Sequence, residues 1–149
     1  MISDIIHVGV TVSDMERSIA FYRDTLGLEL VGRMVMEGDG TDRLFGRKGC
    51  RAEVAYLRRG RTDSPPVELI QFTSDDVEMS QTDLFRTSIS EICFATDDIQ
   101  SDYERMKALG VEFLSEPQPF DSTEYGLGRS VAVYFRDPDG TILELLQTV

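Results

Sequence analysis

Val67-Glu68-Leu69-Ile70-Gln71-Phe72 and Leu143-Glu144-Leu145-Leu146-Gln147-Thr148 read as one strand written twice, 76 positions apart (143 − 67). Both are apolar runs of β-forming residues with a single acid at the same place. Three further pairs extend the match outward in the same order. Ile6-His7-Val8-Gly9-Val10-Thr11-Val12-Ser13-Asp14-Met15 aligns with Ser90-Glu91-Ile92-Cys93-Phe94-Ala95-Thr96-Asp97-Asp98-Ile99, each an apolar run closing on an acidic helix start. Leu26-Gly27-Leu28-Glu29-Leu30 aligns with Leu109-Gly110-Val111-Glu112-Phe113, and Glu53-Val54-Ala55-Tyr56-Leu57 with Val131-Ala132-Val133-Tyr134-Phe135. Four collinear matches make an internal repeat, and its unit sets the fold.

Each copy reads as β-α-β-β-β. Ser13 and Glu16 have capping-box spacing. Met15, Ile19, Tyr22 and Leu26 then mark one helical face, and Gly27 supplies the left-handed stop. In the second copy Asp98 is the expected cap, Ile99, Tyr103 and Met106 form the apolar stripe, and Gly110 ends it. Strands are expected over 28–36, 52–59 and 66–73, then 111–116, 129–136 and 141–148, with Asp137-Pro138-Asp139-Gly140 as a tight turn. Glu37–Cys50 and Pro117–Gly128 read as loops; neither has the glycine spacing of a phosphate cradle. The resulting organisation is one domain over 1–149, with module 1 over 1–73, a polar linker over 74–88 and module 2 over 89–149.

A chain of 149 residues suits one domain. Its net charge of −12 disfavours nucleic acid, which is held through Lys and Arg on phosphates, and disfavours anionic membranes. No apolar run has the length of a bilayer span. Met1-Ile2-Ser3-Asp4 lacks the basic start and apolar core of a signal peptide, and Cys50 and Cys93 form neither a disulfide framework nor a metal-ligand spacing. A cytoplasmic protein is expected.

The acids in the apolar strands are the anomaly. An unpaired carboxylate in such a run costs several kcal/mol of desolvation. Along a strand, side chains alternate between faces, so Val8, Val10 and Val12 suit burial under the helix while His7, Gly9 and Thr11 face the other way. The repeat makes His7 equivalent to Glu91 and Glu68 equivalent to Glu144, and pairing the two sheets into one trough would gather all four. One imidazole and three carboxylates suit a divalent metal. The alternative for Glu68 and Glu144 is a salt bridge to arginine.

In Ile6–Val12 with Phe21-Tyr22-Arg23-Asp24-Thr25-Leu26-Gly27-Leu28, in Ile92–Ile99, and in Asp137-Pro138-Asp139-Gly140-Thr141-Ile142-Leu143-Glu144-Leu145, the chain resembles the vicinal oxygen chelate superfamily. That superfamily includes glyoxalase I, methylmalonyl-CoA epimerase, bleomycin- and fosfomycin-resistance proteins and extradiol dioxygenases. The resemblance implies an α+β fold of two tandem βαβββ modules forming a half-open barrel. It carries the metal positions onto His7, Glu68, Glu91 and Glu144, with one divalent ion per site (Zn, Mn, Co, Ni, Fe or Mg). Glu91 departs from the pattern, since members usually have histidine there. A chain with one histidine cannot build the two-histidine iron site of the dioxygenases alone.

What the resemblance then implies is an isomerase, epimerase or glyoxalase-type lyase. Such an enzyme moves a proton next to a carbonyl through a metal-stabilised enolate, with Glu68, Glu91 and Glu144 as the catalytic candidates. The substrate would be a small ketone, a cyclitol ketone, or an acyl-CoA or thiol adduct, and the enzyme a homodimer. Three carboxylates, a neutral imidazole and a dication leave such a site at −1, which favours oxygen-preferring metals. Met34, Met36, Phe45, Tyr125 and Arg129 are pocket candidates, Arg129 for an anionic group. The competing readings are a metal-free module that sequesters a small molecule and an oxygenase.

Overall fold

Valine alternating with small polar residues gives β1 (Val8–Thr11) a buried face, on which Val10 and then Val12 point inward while Gly9 and Thr11 point out. The computed structural model describes residues 2–60, 63–80 and 82–149. Met1, at the head of the N-terminal stretch, and Gln81, within the 74–88 linker, lie outside the described residues, as do Arg61 and Thr62. The fold is α+β: two tandem modules, each with its own four-stranded mixed sheet. The chain divides into two compact units, Met1–Met79 and Ser80–Val149.

In the first unit, α1 (Met15–Ala20) starts one residue later than the Ser13–Glu16 box implies. Asp14 is the cap, its carboxylate accepting the Arg17 N–H at 3.0 Å, while the Ser13 hydroxyl accepts from the Arg17 guanidinium at 2.9 Å. Asp and Ser cap about equally well, but a carboxylate also meets the positive end of the helix dipole. Met15, Ile19 and Tyr22 are buried. Past Ala20 the helix widens into a π-turn (Phe21–Thr25), which leaves Leu26 half-buried and hands the interior position to Leu28. Gly27 (φ 73°) makes the left-handed exit.

Three strands follow, β2 (Glu29–Met36), β3 (Ala52–Arg58) and β4 (Val67–Phe72), in the order β1-β4-β3-β2. β1 runs parallel to β4, and the other pairs are antiparallel. The segment read as a glycine-rich loop contains α2 (Asp39–Phe45). It is stabilised by the Asp42 carboxylate, which accepts the N–H groups of Gly49 and Cys50 at 2.8 and 2.9 Å. Two turns of helix are too short for a periodic signal, and the glycines masked it.

The second unit repeats the plan with β5 (Ile92–Ala95), α3 (Ile99–Ala108), β6 (Gln118–Ser122), β7 (Gly128–Arg136) and β8 (Ile142–Thr148), in the order β5-β8-β7-β6. Asp98 caps α3 by accepting the Ser101 N–H at 3.0 Å. The stretch 111–116, expected as a strand, makes one bridge, Phe113 to Phe135. The edge strand is β6, inside the segment read as a loop. Continuing the Phe113–Phe135 register would set residue 116 opposite Ala132, yet Gln118 lies there, two residues later. Pro117 lacks the N–H to continue the ladder, and Pro119 is tolerated because β6 is an edge.

One glutamine per unit ties sheet to helix. Gln71 accepts the Met15 N–H at 2.8 Å and donates to the Ser13 carbonyl at 3.1 Å. Gln147 does the same for Ile99 and Asp97, at 3.0 and 2.9 Å. Each satisfies a helix N–H that has no partner within the helix. Among the described residues no helix is long and apolar enough to cross a membrane.

Two stability predictions follow from these contacts. Gln147→Ala removes an acceptor and a donor at once and should cost about 1–3 kcal/mol, read as a lower thermal midpoint; an unchanged midpoint would discount the lock. Ser18 is fully buried, and its hydroxyl has no hydrogen-bond partner among the described residues. At the equivalent place in the second unit, Asp102 accepts the Thr96 hydroxyl at 2.6 Å, but the first unit has Val12 where that threonine stands. Ser18→Ala should therefore stabilise the chain by about 0.5–1.5 kcal/mol, and a lower midpoint would contradict this.

Candidate functional site

Strand alternation sends Val67 and Leu69 into the helix-covered core and turns Glu68 to the opposite face, where it is still only 8% exposed. Gly9 on β1 and Tyr56 on β3 are its neighbours across the sheet. A Cβ added at Gly9 would stand 3.5 Å from Glu68 Oε2, an ordinary van der Waals contact. The Tyr56 hydroxyl donates to Glu68 Oε1 at 2.5 Å, and His7 Nε2 lies 3.2 Å from Oε2. The His7 and Tyr56 rings meet edge to face, centroids 5.9 Å apart. Both carboxylate oxygens are thus engaged, each by a different group. The hydrogen bond to Glu68, then burial, then the carboxylate charge push the Tyr56 phenol up to about 12.

The second unit has the same frame with different chemistry. Glu144 lies opposite Tyr134 on β7 and beside Cys93 on β5. Glu91 precedes Cys93 by two residues and shares its face. Burial first, then the neighbouring Glu144 carboxylate and the charge of Glu91, push the Cys93 thiol up to about 12. Tyr134 is also raised, by burial and then by the charges of Glu144, Glu91 and Cys93. Sequence reasoning passed over Tyr56, Tyr134 and Cys93. The two tyrosines were visible as a repeated pair in Glu53–Leu57 and Val131–Phe135, each aligned with its glutamate.

Among the described residues no arginine or lysine pairs with Glu68 or Glu144. Arginines elsewhere in the first unit pair with other acids: Arg33 with Glu16 at 2.6 Å and Glu53 at 3.1 Å, Arg51 with Glu37 at 3.2 Å. Met34 and Met36 lie opposite Val54 and Ala52, two and four residues along β3 from Tyr56, and so share the face of Glu68. Phe45 reaches the same side by stacking edge-on against Phe72, centroids 5.2 Å apart. Tyr125 sits in a short 3₁₀ turn, exposed. Arg129 is an odd number of residues from Tyr134, on the other face of its sheet, and pairs with Asp121 at 3.0 Å.

No group of three or more His, Cys, Asp or Glu side chains that could hold a metal ion occurs among the described residues. His7 and Glu68 stand together in the first unit, and in the second Glu91 and Glu144 lie on the same face of their sheet. Two ligands each about 2.1 Å from one ion, at about 90–110°, stand about 3.0–3.4 Å apart. The 3.2 Å between His7 Nε2 and Glu68 Oε2 falls in that range. An imidazole nitrogen and carboxylate oxygens are also donors that first-row divalent metals accept. The first-unit pair therefore fits two ligands of such an ion.

The family model of the Glyoxalase/Bleomycin resistance protein/Dioxygenase superfamily matches residues 4–145. A lactoylglutathione lyase of Pseudomonas aeruginosa is 28% identical over 150 residues, spanning 95% of this chain and 80% of the lyase. A 2-epi-5-epi-valiolone epimerase from an Actinomyces species is 26% identical over 144 residues, spanning 94% and 76%. Among solved structures, a glyoxalase family protein from Bacillus cereus superposes with a TM-score of 0.83 over 99% of this chain and 95% of its own, at 21% identity, a likeness of fold. With its two βαβββ modules and a family match running almost end to end, the chain belongs to the glyoxalase/bleomycin resistance protein/dioxygenase superfamily.

Proposed function

We propose that this chain is a divalent-metal-dependent isomerase, epimerase or glyoxalase-type lyase acting on a small carbonyl compound. His7, Glu68, Glu91 and Glu144 are its ligand and proton-transfer residues. The observation that carries the reading is the nearly buried Glu68 carboxylate, with one oxygen 3.2 Å from His7 Nε2 and its counterpart Glu144 in the matching strand of the repeat. The relatives support the reaction class: they include proteins named as lactoylglutathione lyases and as an epimerase. Members of the superfamily generally use a divalent metal.

An ion bound at His7 and Glu68 would polarise a substrate carbonyl and stabilise the enolate left when a neighbouring C–H proton departs. The rest falls to the chain. A carboxylate takes the proton from carbon, and returning a proton to the opposite face inverts the centre, while returning it to the adjacent carbon isomerises it. Glu91, on the same face as Glu144, is the candidate for a carboxylate that acts as base rather than ligand. Met34, Met36, Phe45 and Phe72 give the Glu68 face an apolar flank suited to a carbon skeleton. The proposal includes a cytoplasmic homodimer.

The test follows solvent deuterium into candidate ketones and thiol adducts while metal is assayed in parallel. Glu68→Gln should lose both exchange and metal. Glu91→Gln should lower exchange by about 100-fold or more while metal content stays unchanged. Loss of metal in Glu91→Gln would make Glu91 a ligand instead. Full exchange in Glu68→Gln would remove the proposed site.

A further inference from the structure

We infer that Tyr56 is a positioning residue that makes Glu68 a one-oxygen ligand. This rests on the metal reading above and deepens it. The Tyr56 hydroxyl donates to Oε1 at 2.5 Å, and only Oε2 is turned to His7 Nε2, 3.2 Å away. A free carboxylate rotates and offers both oxygens to a cation. Here rotation about the terminal bond would break a short charge-assisted hydrogen bond inside a site where Glu68 is 8% exposed. The Tyr56 ring also meets the His7 imidazole edge to face, centroids 5.9 Å apart, so the same residue contacts both members of the pair.

The register explains how the sequence builds this frame. Tyr56 and Glu68 are direct cross-strand partners, and Glu68 in turn is the neighbour of Gly9. In the second unit the tyrosine is kept, as Tyr134 opposite Glu144, but Cys93 stands where the first unit has glycine. Among the described residues no hydrogen bond from Tyr134 to Glu144 matches that from Tyr56 to Glu68. Tyr134 is the internal control, since it has the same residue type and register without that bond.

The test is calorimetric titration of Co(II) or Ni(II) into the chelator-treated full chain, with the Co(II) visible spectrum recorded alongside. Tyr56→Phe keeps the ring and its contact with His7 and removes one hydroxyl. It should weaken metal binding by about 10–100-fold and change the Co(II) band, while the metal-free variant still melts cooperatively. Tyr134→Phe should leave both within about threefold of the parent. Equal affinity and an unchanged spectrum in Tyr56→Phe, with the parent binding metal, would overturn this inference and leave the metal reading standing. A parent chain that binds neither ion would overturn both. Should Tyr56→Phe fail to fold, Tyr56→Trp, which also lacks the hydroxyl, is judged by the same shift.

Discussion

A carboxylate that is nearly buried in an apolar strand must be compensated, and that demand on Glu68 organises the first unit. Left alone, the group would cost several kcal/mol. Its compensation comes from a phenol on the next strand and an imidazole just before β1. The same tetrapeptide serves a second purpose through strand alternation. Glu68 points to the open face, Leu69 enters the core, and Gln71, on the helix side, secures the first turn of α1. Glu144, Leu145 and Gln147 repeat the arrangement. A one-residue slip in β4 or β8 would send the acid into the core and the glutamine into the open, so the register of these strands is strongly specified.

Much of this was legible in the repeat. Matching Glu68 with Glu144, and the acidic helix starts with each other, set the order of elements and the apolar stripes of α1 and α3, while the family was legible in the resemblance of stretches such as Ile6–Val12 and Asp137–Leu145. What the sequence obscured was local. Ser13 and Asp14 both suit a cap, and only the backbone geometry chose Asp14. Pro117 and Pro119 suggested a loop where an edge strand runs, because an edge tolerates what a central strand cannot. The glycines of 37–50 hid a two-turn helix. At the candidate site the acids stood out because charge in an apolar run is costly. Tyr56 did not, because tyrosine is an ordinary strand residue, and its role depends on a cross-strand partner 12 positions away.

The two units show how a duplicated frame diverges. Position by position, His7 faces Glu91 in the alignment, Gly9 faces Cys93, and Val12 with Ser18 faces Thr96 with Asp102. Backbone topology, helix cap and glutamine lock are retained in both, since each stabilises its unit. The side chains on the carboxylate face have changed, since that face is free to specialise.

The most direct test of the account is elemental mass spectrometry of the full chain, purified without added metal or chelator and again after incubation with divalent ions. About one equivalent of a first-row divalent metal per chain is expected, absent from His7→Ala. A chain that carries none and takes up none, or one that keeps its metal when His7 is removed, would contradict it.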